Sequence, residues 1–221
     1  MKLLAAMLAI TSLASSAATD KTKCLFAQPL ILGASVSAGY GTSDGGPATV
    51  ISRMINPEAR LDNQARSGAT SVESTRTLRI SSVSASLVFA LDLFFWDAAR
   101  DLYSREFEEK TRKLFSGFQK IKMPMIVGKV PIGAKFPDSI KEAGQKRSAG
   151  KINNLLEELC TLDKNCLLYD PVECFNLMKA PVSPEGISYF SDRLHTTNEG
   201  NKFCANIFVA SGLYKKLECL K

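Results

Sequence analysis

The stretch "PLILGASVSAGYG", Pro29 to Gly41, sets the reading of this 221-residue chain. Pro29 to Leu32 fit a strand buried on both faces, and Gly33 permits a tight turn that presents Ser35 at the strand's carboxyl end. Fully buried strands belong to parallel sheets covered by helices. Working outward, "ARLDNQARSG" reads as a second strand giving way to a loop, and "ASLVFALDLFFW" as a buried third strand. "PMIVGKVPI" is a fourth and "CLLYD" a fifth.

Helical patterns separate these runs. "TVISRMI" is a short helix, and the polar stretch after Gly68 suits another. Ser104 stands as the N-cap of a helix in which Phe107, Leu114, Phe115, Phe118 and Ile121 recur near 3.6-residue spacing. Ile152, Leu155, Leu156 and Leu159 mark a further helix, and Phe203, Ile207 and Ala210 mark the last. This alternation predicts a three-layer α/β/α domain. In such sheets ligands lie beyond the carboxyl ends of the strands, so the loops there are where chemistry belongs.

The first residues, "MKLLAAMLAITSLASSAA", carry one positive charge, a short apolar run and small residues near Ala18. They predict a secretory signal peptide over 1–18 and a single domain over 19–221, exported to a periplasmic or extracellular space. No other segment is apolar for long enough to cross a membrane. Loss of Lys2 with the leader lowers the formal net charge from +6 to +5. The charge is dispersed. Its densest stretch, Lys141, Lys146, Arg147 and Lys151, reads as a solvated helix face, so the balance suits an anionic cell-envelope polymer but marks no specific nucleic-acid site.

Six cysteines, Cys24, Cys160, Cys166, Cys174, Cys204 and Cys219, lie after the leader, an even number that suggests disulfides in an exported chain. Six allow 15 complete pairings, among which Cys160 and Cys166 are close enough to close a local loop. No metal site is expected. There is no C-x-x-C, and His195, the chain's one histidine, has no histidine partner.

Ser35 is a candidate nucleophile, because a helix start behind it supplies N–H groups to developing negative charge. A serine hydroxyl needs a base, and His195 is the one imidazole available. Asp192, three residues earlier in "SDRLHTTNEG", can orient that ring through Nδ1 and stabilise its charged form. Thr196 and Glu199 have capping-box spacing and would open a helix behind the histidine.

Together, "GASVSAGYG", "DNQARSGAT" and "SDRLHTTNEG" resemble the first, second and fifth sequence blocks of the SGNH, or GDSL-type, hydrolases. Their order and their spread over nearly the whole predicted domain fit that family. The resemblance implies a flavodoxin-like parallel sheet and hydrolysis of esters or removal of acyl groups. Ser35 matches its nucleophile, His195 its general base and Asp192 the acid that orients the base. Gly68 matches the second-block glycine, whose N–H binds the oxyanion beside that of the serine. The mechanism implied needs no metal and no organic cofactor.

Two departures stand out. Ala34 occupies the place where the family usually has aspartate, and the third block, normally G-x-N-D, reads "LDLFFWDAARD" with no asparagine. Asp97 matches that block's aspartate, which sets Trp96 where an asparagine donor to the oxyanion belongs. Loss of one such donor typically lowers the rate about a hundred- to a thousandfold. Asp92, Trp96 and Asp97 are therefore pocket candidates, with core packing as the plain alternative. The leading expectation is an esterase or deacetylase acting on an acylated small molecule or carbohydrate. An O-acyltransferase of the same fold, or a non-catalytic binding module for an envelope polymer, are the alternatives. The segments Gly41 to Val50 and Lys179 to Phe190 are expected as loops beside the site.

Overall fold

The computed structural model describes residues 20–135, 137–178 and 181–219; the predicted leader, 1–18, lies outside them. The chain opens with helix α1 (Asp20–Leu25), strand β1 (Pro29–Ile31), α2 (Ser35–Ala38) and α3 (Pro47–Ile55). Strand β2 (Asp62–Asn63), α4 (Ser71–Thr75), β3 (Leu87–Ala90), α5 (Phe95–Ala99) and α6 (Arg105–Lys120) follow. The remainder is β4 (Met125–Gly128), α7 (Asp138–Gly144), α8 (Arg147–Thr161), β5 (Cys166–Tyr169), α9 (Val172–Met178) and α10 (Asn198–Ser211). The five strands are parallel in the order β2-β1-β3-β4-β5, with Leu30 opposite Val88 and Phe89 opposite Ile126. That is the flavodoxin-like order, whose direction reverses at β1 and β3 and leaves a crevice beyond their carboxyl ends.

Alternation along the strands divides the core between the two faces. Leu30, Leu32, Val88, Ala90, Met125 and Val127 pack with residues of α5, α6 and α8. Ile31, Leu87, Phe89 and Ile126 pack with α1, α3 and α10. Local signals set the helix starts: Pro47 opens α3, Thr70 and Glu73 form a reciprocal capping box at α4, and Ser104 accepts from the Phe107 N–H at α6. In α6 Phe107, Phe115 and Phe118 are buried, while Leu114 and Ile121 pack at the margin of the same cluster.

Three sequence expectations are corrected. The apolar run from Ala85 to Trp96 is a strand only over Leu87–Ala90; the chain then turns, and Phe95 starts α5. Hydrophobicity alone does not separate these states, because Leu93, Phe94 and Ala98 fill the same core from the helical side. Residues 47–50 of the expected Gly41 to Val50 loop are already helical. The cap of α10 is Thr197, whose hydroxyl accepts from the Gly200 N–H, while Thr196 Oγ1 instead bonds Asn201. Of the second expected loop, Lys179 and Ala180 lie outside the described residues; the rest is irregular apart from bridges of Val182 to Ser188 and of Phe190 to Thr196.

The cysteines pair as Cys24–Cys219, Cys160–Cys166 and Cys174–Cys204. The first joins the two ends of the described chain, the second closes the expected local loop between α8 and β5, and the third fastens α9 to α10. The first closes a loop of 195 residues and the second one of 6. Loop-closure entropy then gives about 5 kcal/mol for the first and about 2 kcal/mol for the second. Denaturant unfolding should show paired Cys→Ser replacement at Cys24 and Cys219 to be the more destabilising. Equal losses for the two bridges would contradict this.

Candidate active site

The site is built around the turn between β1 and α2. Gly33 has φ +156°, and a Cβ there would meet Asp92 Oδ1 at 2.1 Å, so the close approach of Asp92 requires glycine. Asp92, two residues beyond the end of β3, accepts from three backbone N–H groups of this turn. Oδ1 takes that of Ala34 at 2.9 Å, and Oδ2 those of Val36 at 3.0 Å and Ser37 at 3.2 Å. The N–H of Ser35 is passed over and meets no acceptor among the described residues. Burial raises the Asp92 carboxyl above its ordinary value, while the hydrogen bonds from Ser37, Ala34 and Val36 pull it back. Thus the turn that lacks an aspartate at position 34 is held by a carboxylate from the neighbouring strand.

Ser35, itself 3% exposed, meets the histidine from the far end of the chain. His195 Nε2 lies 2.9 Å from Ser35 Oγ, and Nδ1 lies 2.7 Å from Asp192 Oδ2. The other carboxylate oxygen of Asp192 accepts from the N–H groups of Leu194 and His195, each at 2.7 Å, which closes the segment on itself. Partial burial works against ionisation, but the hydrogen bonds from His195 and Leu194 hold Asp192 below the usual carboxylate range. An ionised carboxylate only accepts, so Nδ1 carries the proton and Nε2 is left to accept from the serine. The Tyr40 ring covers the imidazole at 4.5 Å between centroids.

Gly68 is the third residue of a turn closed by a hydrogen bond from Ala69 N–H to the Arg66 carbonyl, and its φ of +71° suits glycine. That turn is tied to the serine turn, because Arg66 N–H and Ser74 Oγ both donate to the Gly33 carbonyl. The Gly68 carbonyl accepts from Arg100 Nη2 at 2.9 Å, and its N–H has no acceptor among the described residues. The N–H groups of Ser35 and Gly68, both without an acceptor among the described residues, therefore lie in two turns linked through the Gly33 carbonyl.

The third-block candidates separate. Asp92 reaches the serine turn, which the sequence did not reveal. Trp96, on α5, lies under the Arg100 guanidinium at 5.1 Å, and its Nε1 is sealed from solvent with no acceptor among the described residues. That nitrogen is therefore not open to solvent beside the serine turn. Asp97 is buried and accepts from the Ser71 N–H at 2.8 Å, fixing the start of α4 rather than touching Ser35.

Among the described residues no cluster of three metal-ligating side chains is found, and no helix is long and apolar enough to cross a membrane. The basic residues Lys141, Lys146, Arg147 and Lys151 are exposed on α7, α8 and the turn between them.

Comparison with solved structures reproduces this arrangement of elements. The esterase EstA of a Pseudoalteromonas species shares 17% identity, with 84% of this chain and 96% of that one covered at a TM-score of 0.59. The chain has the SGNH-hydrolase fold. The same SGNH fold relates it to a catalytic mutant of Axe2, an acetylxylan esterase of Geobacillus stearothermophilus, at 17% identity, with 87% and 96% covered and a TM-score of 0.59. A GDSL-like lipase of Bacteroides thetaiotaomicron is similar at 18% identity, with 87% and 90% covered and a TM-score of 0.58. No family profile and no curated protein sequence matches the chain.

Burial pushes the Asp97 carboxyl up to about 6, against the hydrogen bonds of Ser71 and with a small addition from the Glu73 charge. The folded protein therefore keeps a proton that the unfolded chain releases near pH 4. Stability is full below that pH and falls as pH rises through about 6, by about 3 kcal/mol in all. Urea unfolding from pH 4 to 7 should show this decline in the wild type and its removal in Asp97→Asn. An identical slope in both proteins would contradict the assignment.

Proposed function

We propose that this protein is an exported serine hydrolase that cleaves carboxylic esters through Ser35, His195 and Asp192. The observation that carries the reading is the single imidazole held between Asp192 at 2.7 Å and Ser35 at 2.9 Å. Residues 160 positions apart in sequence have no packing reason to align a hydroxyl, an imidazole and a carboxylate in that order. Esterase names among the fold relatives agree with it.

In this mechanism Ser35 Oγ attacks the acyl carbon as its proton passes to Nε2 of His195. Asp192 stabilises the resulting imidazolium without taking the proton. The oxyanion is received by the free N–H groups of Ser35 and Gly68. The leaving alcohol takes the proton from Nε2, and an acyl group remains on Ser35. Water, deprotonated by the same nitrogen, then releases the acid. No step requires a metal or an organic cofactor. A two-donor oxyanion site predicts a slower enzyme than one with a third side-chain donor, by about two orders of magnitude.

Export is supported by the leader-like residues 1–18 and by the three disulfides, which persist in oxidising compartments. Acylated carbohydrates are the substrates suggested by the acetylxylan esterases of this fold.

Treatment with a small fluorophosphonate, read by intact mass, should add one adduct to the wild type and none to Ser35→Ala or His195→Ala. Asp192→Asn should slow labelling by about a hundredfold or more, since it leaves the imidazole in the wrong tautomer. Undiminished labelling of Ser35→Ala would remove the reading.

A further inference from the structure

A cavity of about 90 Å³ is lined by Ser35 and Asp92 together with residues of α3, α7, α9 and α10. Its walls are almost wholly apolar: Ile51 of α3, Val130 and Pro131 after β4, Ile140 of α7, Phe175 of α9 and Leu194 beside the histidine. Native cores close such voids, because unfilled apolar space lowers stability in proportion to its volume. Most polar side chains that line it, the Tyr169 hydroxyl apart, are already occupied. Asp92 is taken by backbone N–H groups, and Thr196 and Asn201 bond each other. The Lys129 ammonium pairs with Glu157. Water entering the cavity would meet few partners, whereas an alkyl chain would meet carbon on every side.

Ser35, within reach of His195, is among the lining residues. Cys204 is another, and its disulfide to Cys174 locks α9 against α10, so the space does not expand by separating these helices.

We propose that this cavity receives the acyl chain of the substrate, so that the ester cleaved at Ser35 carries an unbranched acyl group of medium length rather than acetyl. This rests on the esterase reading above and sharpens it. A space of about 90 Å³ far exceeds the roughly 10–15 Å³ that admits a single water, so it has room for several methylene groups beyond an acetyl methyl.

Purified protein is assayed with p-nitrophenyl acetate, butyrate, hexanoate, octanoate and laurate. kcat/KM should rise about fourfold for each added CH₂ as far as hexanoate or octanoate, then fall for laurate. In Ile140→Trp, where the indole fills the cavity, the hexanoate-to-acetate ratio should drop at least about tenfold, the equivalent of two or more buried methylenes. Binding is followed separately in Ser35→Ala by titration with 1-hexanol, which should shift the methyl signals of Ile51 and Ile140 saturably.

A flat or falling series from acetate, with Ser35 still labelled by fluorophosphonate, overturns the proposal and leaves the esterase reading standing. Should Ile140→Trp fail to fold, absence of hexanol-induced methyl shifts overturns it equally. Saturable hexanol binding in a protein that labels with no fluorophosphonate and hydrolyses no ester removes the esterase reading, and with it the assignment of the cavity to an acyl group.

Discussion

The carboxylate of Asp92 draws three N–H groups of the β1–α2 turn onto itself, and the geometry around Ser35 follows from that contact. A helix start leaves orphan donors that need partners when buried. Here a side chain from the next strand satisfies those of Ala34, Val36 and Ser37 and leaves that of Ser35 open. The arrangement works only because Gly33 has no Cβ to block the carboxylate. It also works only in a parallel sheet with β3 beside β1, which delivers both strand ends to the same edge.

The other parts reach that edge from distant places by similarly local means. Gly68 is attached through the Gly33 carbonyl, so the second free N–H moves with the serine turn. Arg100, resting on Trp96, holds the carbonyl of Gly68 and connects the turn to α5. His195 is presented by a segment that Asp192 closes on itself and that bridges Phe190 to Thr196. Asn198 and Asn201 of α10 bind the loop at Ser43 to Gly45, so the histidine segment and the residues after Ser35 are fastened to each other. Asp192 remains half-exposed, at 47%, which keeps its charge inexpensive while the imidazole beside it, at 13%, is largely shielded.

How much of this was legible in the sequence follows from the range of each interaction. The strand and helix rhythm, the Ser104 cap and the D-x-x-H spacing act within a few residues, and each left a pattern that could be read. The end of β3 left none, because Leu91, Leu93 and Phe94 are as apolar as the strand they follow. Asp92 was visible as a carboxylate near a strand end, but its role depends on a partner 55 to 58 positions away. Trp96 stood in the expected place along the chain, yet one turn of α5 carries it under Arg100 instead. The cavity at Ser35 draws its wall from stretches spread between Ser35 and Cys204, and no sequence window contains it. The short bridge Cys160–Cys166 was foreseeable, whereas Cys24–Cys219 and Cys174–Cys204 record how the ends of the fold meet.

With one histidine in the chain, the imidazole nitrogens give unambiguous signals. Nitrogen-15 NMR of histidine-labelled protein at neutral to alkaline pH therefore tests the central claim most directly. The account predicts that Nδ1 carries the proton, strongly shifted downfield by Asp192, and that Nε2 is the unprotonated acceptor facing Ser35. Asp192→Asn should abolish the downfield proton. A proton on Nε2 with Nδ1 free, in the folded wild type, would contradict the claim that His195 is poised to deprotonate Ser35.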